Sequence, residues 1–136
     1  MKKLAHYENL PDSMSEGELF VEFICVIECY ESCKCDRAFF LKALLELADR
    51  QWHTYAVLRE DLKVRIESIL MGLWDDNNLA VAEDLLVLCG RLGLQGLYVF
   101  CCAQKEKSNL PDIIEEIDSA ILEFGDSVAD PYVGMK

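Results

Sequence analysis

The chain has 136 residues, 52% of them hydrophobic and 28% charged, and a formal net charge of −12 from 13 basic and 25 acidic side chains. That length suits one domain whose core needs no staples, so residues 1–136 read as a single helical domain with 1–14 as lead-in and 126–136 as tail. The acidity excludes a basic groove for nucleic acid and disfavours anionic membranes, while a basic protein would be attracted.

Along the chain, Asn9-Leu10-Pro11-Asp12-Ser13 marks a turn within an irregular lead-in. Ser15 and Glu18 then make a capping box ahead of Leu19, Phe20, Phe23, Ile24, Ile27 and Tyr30, predicting a first helix over about residues 16–33. Asp36 is a plausible N-cap for a second helix holding Phe40, Leu41, Leu44, Leu45, Leu47 and Ala48 up to Arg50. The periodicity falters around Gln51-Trp52-His53-Thr54, where Thr54 is read as a restart. Val57, Leu58, Leu62, Ile66, Ile69, Leu70 and Leu73 predict a third helix to about Trp74, with a break near Arg59.

After the polar run Asp75-Asp76-Asn77-Asn78, Asn78 caps a fourth helix with Leu79, Ala82, Leu85, Leu86, Leu88 and Cys89, stopped by Gly90 or Gly93. Leu94 to Gln104 reads as a short fifth helix buried on most sides. Pro111 opens a sixth, striped by Ile113, Ile114, Ile117, Ile121, Leu122 and Phe124 and closed by Gly125. No segment alternates as a strand does. The expected fold is all-α, about six helices in an irregular HEAT- or armadillo-like stack of helical hairpins, with a compact helical bundle as the alternative.

Templates for catalysis find no support. Glycine-rich phosphate loops, a nucleophile elbow and zinc-hydrolase spacings are missing, and His6 and His53 are the only histidines. The chain is therefore read as not an enzyme, and no cofactor is expected. Asp75-Asp76-Asn77-Asn78 lacks the glycine and the bidentate glutamate of a calcium loop.

Cys25, Cys29 and Cys33 recur every four residues, with Cys35 just beyond. Core packing is the expected role; a soft-metal site, or redox activity of Cys33-x-Cys35, is the alternative. Seven cysteines leave one over in any fully paired disulfide framework. Met1 to Glu8 begins with lysines but lacks a signal peptide's apolar region, and no run reaches the ~20 apolar residues of a membrane span. A cytoplasmic location with reduced thiols is expected.

Charge is uneven: residues 35–73 balance six bases against six acids, whereas residues 105–136 set three bases against eight acids. The carboxylates Asp75, Asp76, Glu83, Asp84, Asp112, Glu115, Glu116 and Asp118 are expected to be exposed and to line one face toward a basic partner. Trp74 and Tyr132 are the candidate aromatic anchors beside them.

Two internal likenesses complete the pattern. Ile66-Glu67-Ser68-Ile69-Leu70-Met71 aligns with Ile117-Asp118-Ser119-Ala120-Ile121-Leu122, and Leu44–Arg50 aligns with Leu85–Arg91. With its acidity, short helical chain, many cysteines and lack of catalytic motif, the sequence resembles bacterial immunity proteins of the contact-dependent growth inhibition and polymorphic-toxin type. That resemblance implies a one-to-one complex with a basic toxin domain, neutralised by covering its active site or an adjacent surface. The competing readings are a helical adaptor or regulatory subunit without inhibitory role, and a cysteine-based metal or redox sensor.

Overall fold

The computed structural model describes residues 3–11, 13–54 and 58–124, with only the backbone of Phe124. Seven helices and no strands occur among the described residues: α1 (Leu4–Glu8), α2 (Glu16–Glu31), α3 (Arg37–Trp52), α4 (Glu60–Leu73), α5 (Leu79–Leu92), α6 (Gln95–Gln104) and α7 (Pro111–Phe124). The chain is all-helical, with one helix more than its periodicity predicts. It divides into two compact units, Met1–Ala56 and Val57–Lys136.

In the first unit, α2 and α3 form a helical hairpin to which α1 is added. The capping box at the start of α2 forms: Ser15 Oγ accepts from Glu18 N and Glu18 Oε1 accepts from Ser15 N, both at 3.1 Å. These bonds hold the Glu18 carboxyl below its ordinary range, the bond from the Ser15 backbone contributing most. Asp36 caps α3 through a 2.8 Å bond from Phe39 N. Leu19, Phe23, Val26 and Ile27 of α2 are fully buried, as are Phe40, Leu44 and Leu47 of α3. Tyr30 stacks on Phe40 near the turn, with ring centroids 4.6 Å apart.

That turn has a specific geometry. The N–H of Lys34 bonds the carbonyl of Cys29 at 2.9 Å, and the N–H of Cys33 bonds that of Tyr30 at 3.0 Å. This is a Schellman motif, whose left-handed position is usually glycine. Here Cys33 fills it, with φ 59°.

The extra helix, α1, lies where the sequence predicts irregular lead-in. At five residues it is too short to show a period or to hold itself together. Tertiary partners hold it instead. Tyr7 is buried and meets Phe39 edge-on at 6.1 Å, and His6 Nε2 lies 2.7 Å from Glu22 Oε2. Buried Arg50 donates through Nη2 to the carbonyls of Glu8 and Leu10, at 3.1 and 3.0 Å, while Nη1 reaches the Glu46 carbonyl and carboxylate. Burial, then the Glu22 carboxylate, push the Tyr7 phenol above its ordinary range. Thr54 does not restart a helix; its hydroxyl donates to the Gln51 carbonyl at 2.7 Å in the turn after α3.

In the second unit, α4 packs on α5 and α6, and α7 packs on α5 and α6. The buried side chains of α4 are Leu62, Ile66, Leu70 and Leu73, one stripe at helical spacing, with the stem of Lys63 beside them. Asn78 caps α5 through a 3.2 Å bond from Val81 N. Gly93, not Gly90, ends it, in the left-handed region at φ 67°. Helix α6 buries one face only, with Leu97, Tyr98 and Cys101 inward and Val99 58% exposed, contrary to the expectation of burial on most sides.

Leu94, at the start of α6, offers no capping side chain. Glu67 of α4 does the capping, its Oε2 accepting from Leu97 N at 2.7 Å. The approach depends on Gly96, where a Cβ would sit 2.6 Å from that oxygen. In α7, Ile113, Ile117 and Ala120 face inward, while Leu122, expected in the apolar stripe, is 89% exposed. Nine residues at 100° per residue place Leu122 opposite Ile113, so the run of apolar letters there is not one face.

Gly125, Val57, Asp12 and the tail from Asp126 to Lys136 lie outside the described residues. No helix among the described residues is long and apolar enough to cross a membrane.

Candidate partner-binding surface

The acidic residues singled out in the sequence fall in three places of the second unit: the α4–α5 turn, the outer side of α5, and α7. The structure treats them differently. In the turn, Asp75 Oδ1 accepts from Asn77 N at 2.9 Å, an Asx-turn that folds the chain toward α5. Asp76 Oδ1 accepts from Trp74 Nε1 at 2.6 Å. Both carboxylates are half-buried, not exposed as expected, because they satisfy local donors. Trp74 is likewise half-buried and engaged, its ring meeting Phe100 edge-on at 6.4 Å. Tyr132 lies outside the described residues.

On α5, Glu83 is exposed on the same side as Val87, which is 44% exposed. Asp84 is half-buried; desolvation, then the neighbouring Glu83 charge, raise its carboxyl above the ordinary range. On α7, Asp112 and Glu115 are exposed, Glu116 is half-buried, and Asp118 forms an ion pair with Lys105 at 2.5 Å. Asp118 is thus partly neutralised, where full solvation was expected. Asp112, Glu115, Ser119 and Leu122 recur at steps of three or four and form one exposed stripe of α7, opposite Ile113 and Ile117.

Because α5 and α7 pack against each other, Glu83 and this stripe belong to neighbouring helices. What the arrangement offers is exposed carboxylates on two packed helices, with one large unburied leucine on the α7 stripe. It can attract a cationic surface and give it an apolar contact. Sequence reasoning missed Leu122, although the helical angle between it and Ile113 was available to find it.

Comparison with family models, with curated proteins and with solved structures finds no match.

No cluster of three or more His, Cys, Asp or Glu side chains among the described residues is arranged to hold a metal ion. All seven cysteines are free thiols. Cys25 and Cys29 are half-buried at the margin of α2 and Cys33 is exposed, so the stripe is not the core packing the sequence predicts; Cys89 and Cys101 are buried. Burial, then the neighbouring Cys101 thiol, keep the Cys89 thiol well above its ordinary range. His53 Nδ1 lies 2.8 Å from the Asp49 carbonyl one turn back, a helix-end contact. A groove of about 260 Å³ in the first unit is lined by Leu4, Glu8, Lys42, Leu45 and Glu46. Its Glu46 carboxylate is already engaged by Arg50.

Proposed function

We propose that this chain is a binding protein of the toxin-immunity kind, which neutralises a basic toxin domain in the cytoplasm without catalysing a reaction. The observation that carries the reading is the exposed α7 stripe, Asp112, Glu115 and Leu122, with Glu83 on the adjoining α5. Supporting it are the net charge of −12 and the sequence resemblance to immunity proteins.

On this reading the carboxylates raise the rate of encounter with a cationic cleft, and Leu122 anchors the complex once docked. Trp74, Asp75 and Asp76 build the turn that leads into α5 and are not themselves the contact. The test is co-expression with a basic toxin domain, taken first from the genes flanking this protein's own. Growth rescue together with a one-to-one complex on size exclusion is expected. A toxin that remains lethal and elutes apart from this chain overturns the reading.

A further inference from the structure

The α2–α3 turn gathers three free thiols that the partner-binding reading does not use. Cys29 lies in the last turn of α2, Cys33 in the left-handed position after it, and Cys35 just before the α3 cap. The Schellman bond from Lys34 N to the Cys29 carbonyl, at 2.9 Å, brings the main chain of Cys29 alongside the residue preceding Cys35. The Cys29 thiol is near enough to that of Cys35 to perturb it, and both are half-buried, whereas Cys33 is exposed. The sequence alone singled out Cys33-x-Cys35; the fold pairs a different two.

We propose that Cys29 and Cys35 form a reversible disulfide when the protein meets a peroxide, fastening the end of α2 to the start of α3. Disulfides require neighbouring side chains on backbones already close together, and the turn brings the end of α2 back beside the start of α3. The Cys29 sulfur attacks the O–O bond of hydrogen peroxide and becomes a sulfenic acid, releasing hydroxide that is protonated to water. The Cys35 sulfur then attacks the sulfenic sulfur, and its own proton leaves with the departing hydroxide as a second water. Two thiols and one peroxide become one disulfide and two waters.

Burial, then the adjoining Cys29 thiol, push the Cys35 thiol up to about 12. Only a thiolate attacks, so this burial slows Cys35 as a nucleophile, and the bridge closes as Cys35 gives up its proton to the departing hydroxide. The bridge closes a short loop and so stabilises chiefly by restricting the unfolded chain. It is independent of any toxin, and its test needs none.

The experiment treats the full-length reduced protein with a small excess of hydrogen peroxide, quenches it, and maps it with trypsin without reduction. Cleavage after Lys34 and Arg37 separates Cys35 from the other thiols of the turn. The Cys35 peptide is expected to be linked to the peptide carrying Cys29, and the link to vanish on adding a thiol reductant. The thermal midpoint of the oxidised protein rises by several degrees. Cys33→Ser and Cys25→Ser retain the link, and Cys29→Ser loses it. A link lost in Cys33→Ser but kept in Cys29→Ser overturns the proposal. So does a Cys35 that stays a free thiol while other cysteines oxidise.

Discussion

Cys33 and Gly93 occupy equivalent places after α2 and α5, with φ 59° and 67° respectively. In both, the next residue's N–H closes back to a cysteine carbonyl, Lys34 to Cys29 and Leu94 to Cys89. Glycine adopts this conformation freely, whereas a residue with a Cβ is strained there by about 1–2 kcal/mol. Part of that strain is offset because glycine also loosens the unfolded chain. Cys33→Gly is therefore expected to stabilise the protein by roughly 0.5–1 kcal/mol, and Gly93→Ala to destabilise it by about 1–2 kcal/mol. Urea unfolding midpoints at unchanged slope check both.

Asp84 carries a second residue-scale expectation. Its carboxyl is raised in the folded state by desolvation, then by Glu83, so the ionised form costs the fold stability. The sign follows: below the ordinary value of 3.8 both states are protonated and the cost is absent; it builds up as pH rises from there to the folded value and is complete above it. Asp84→Asn should raise stability at pH 7, with the gain fading at acid pH. A constant gain across a pH series of thermal midpoints would count against this assignment.

At the scale of elements, the parts legible in the sequence are those whose chemistry is local. Ser15 with Glu18, Asp36 and Asn78 all cap as predicted, because each needs only a residue three positions on. What escaped depends on distant chain. Helix α1 forms against Glu22, Phe39 and Arg50, and α6 borrows its cap from Glu67, thirty residues earlier. Asp75 and Asp76 escaped for a different reason. Four consecutive polar residues look solvated by composition, yet an Asx-turn and an indole N–H occupy them.

The borrowed cap gives a direct test at this scale. Glu67→Ala should cost about 1–2 kcal/mol, the ordinary worth of an N-cap. Gly96→Ala displaces the same carboxylate while gaining up to about 1 kcal/mol of helix propensity, so alone it should be close to neutral. In the Glu67→Ala background it should instead stabilise by about that propensity difference. A double-mutant cycle reads the coupling, and strict additivity would mean the two positions do not communicate.

Across the whole molecule the candidate surface was legible as charge but not as geometry. The sequence located the acids; only the fold separates Glu83, Asp112 and Glu115, which are exposed, from Asp75, Asp76 and Asp118, which are engaged. Neutralising Glu83, Asp112 and Glu115 together is expected to slow association with a basic toxin domain about tenfold or more at low salt. Added salt should shrink the difference, and dissociation should change little. Stopped-flow association at two ionic strengths measures this. By contrast, Asp76→Asn should chiefly disturb the turn around Trp74 and leave the association rate nearly unchanged.

The contact between Trp74 and Asp76 has a spectroscopic consequence. The chain holds two tryptophans, and Trp52 falls in the Met1–Ala56 unit while Trp74 falls in the Val57–Lys136 unit. Each unit thus contains its own fluorophore, half-buried in the fold and due to shift to longer wavelength as its surroundings open to water. Trp52→Phe leaves Trp74 reporting on the second unit, and Trp74→Phe leaves Trp52 reporting on the first. The pair of single-tryptophan proteins gives each unit a separate melting curve from one chain, with no label attached.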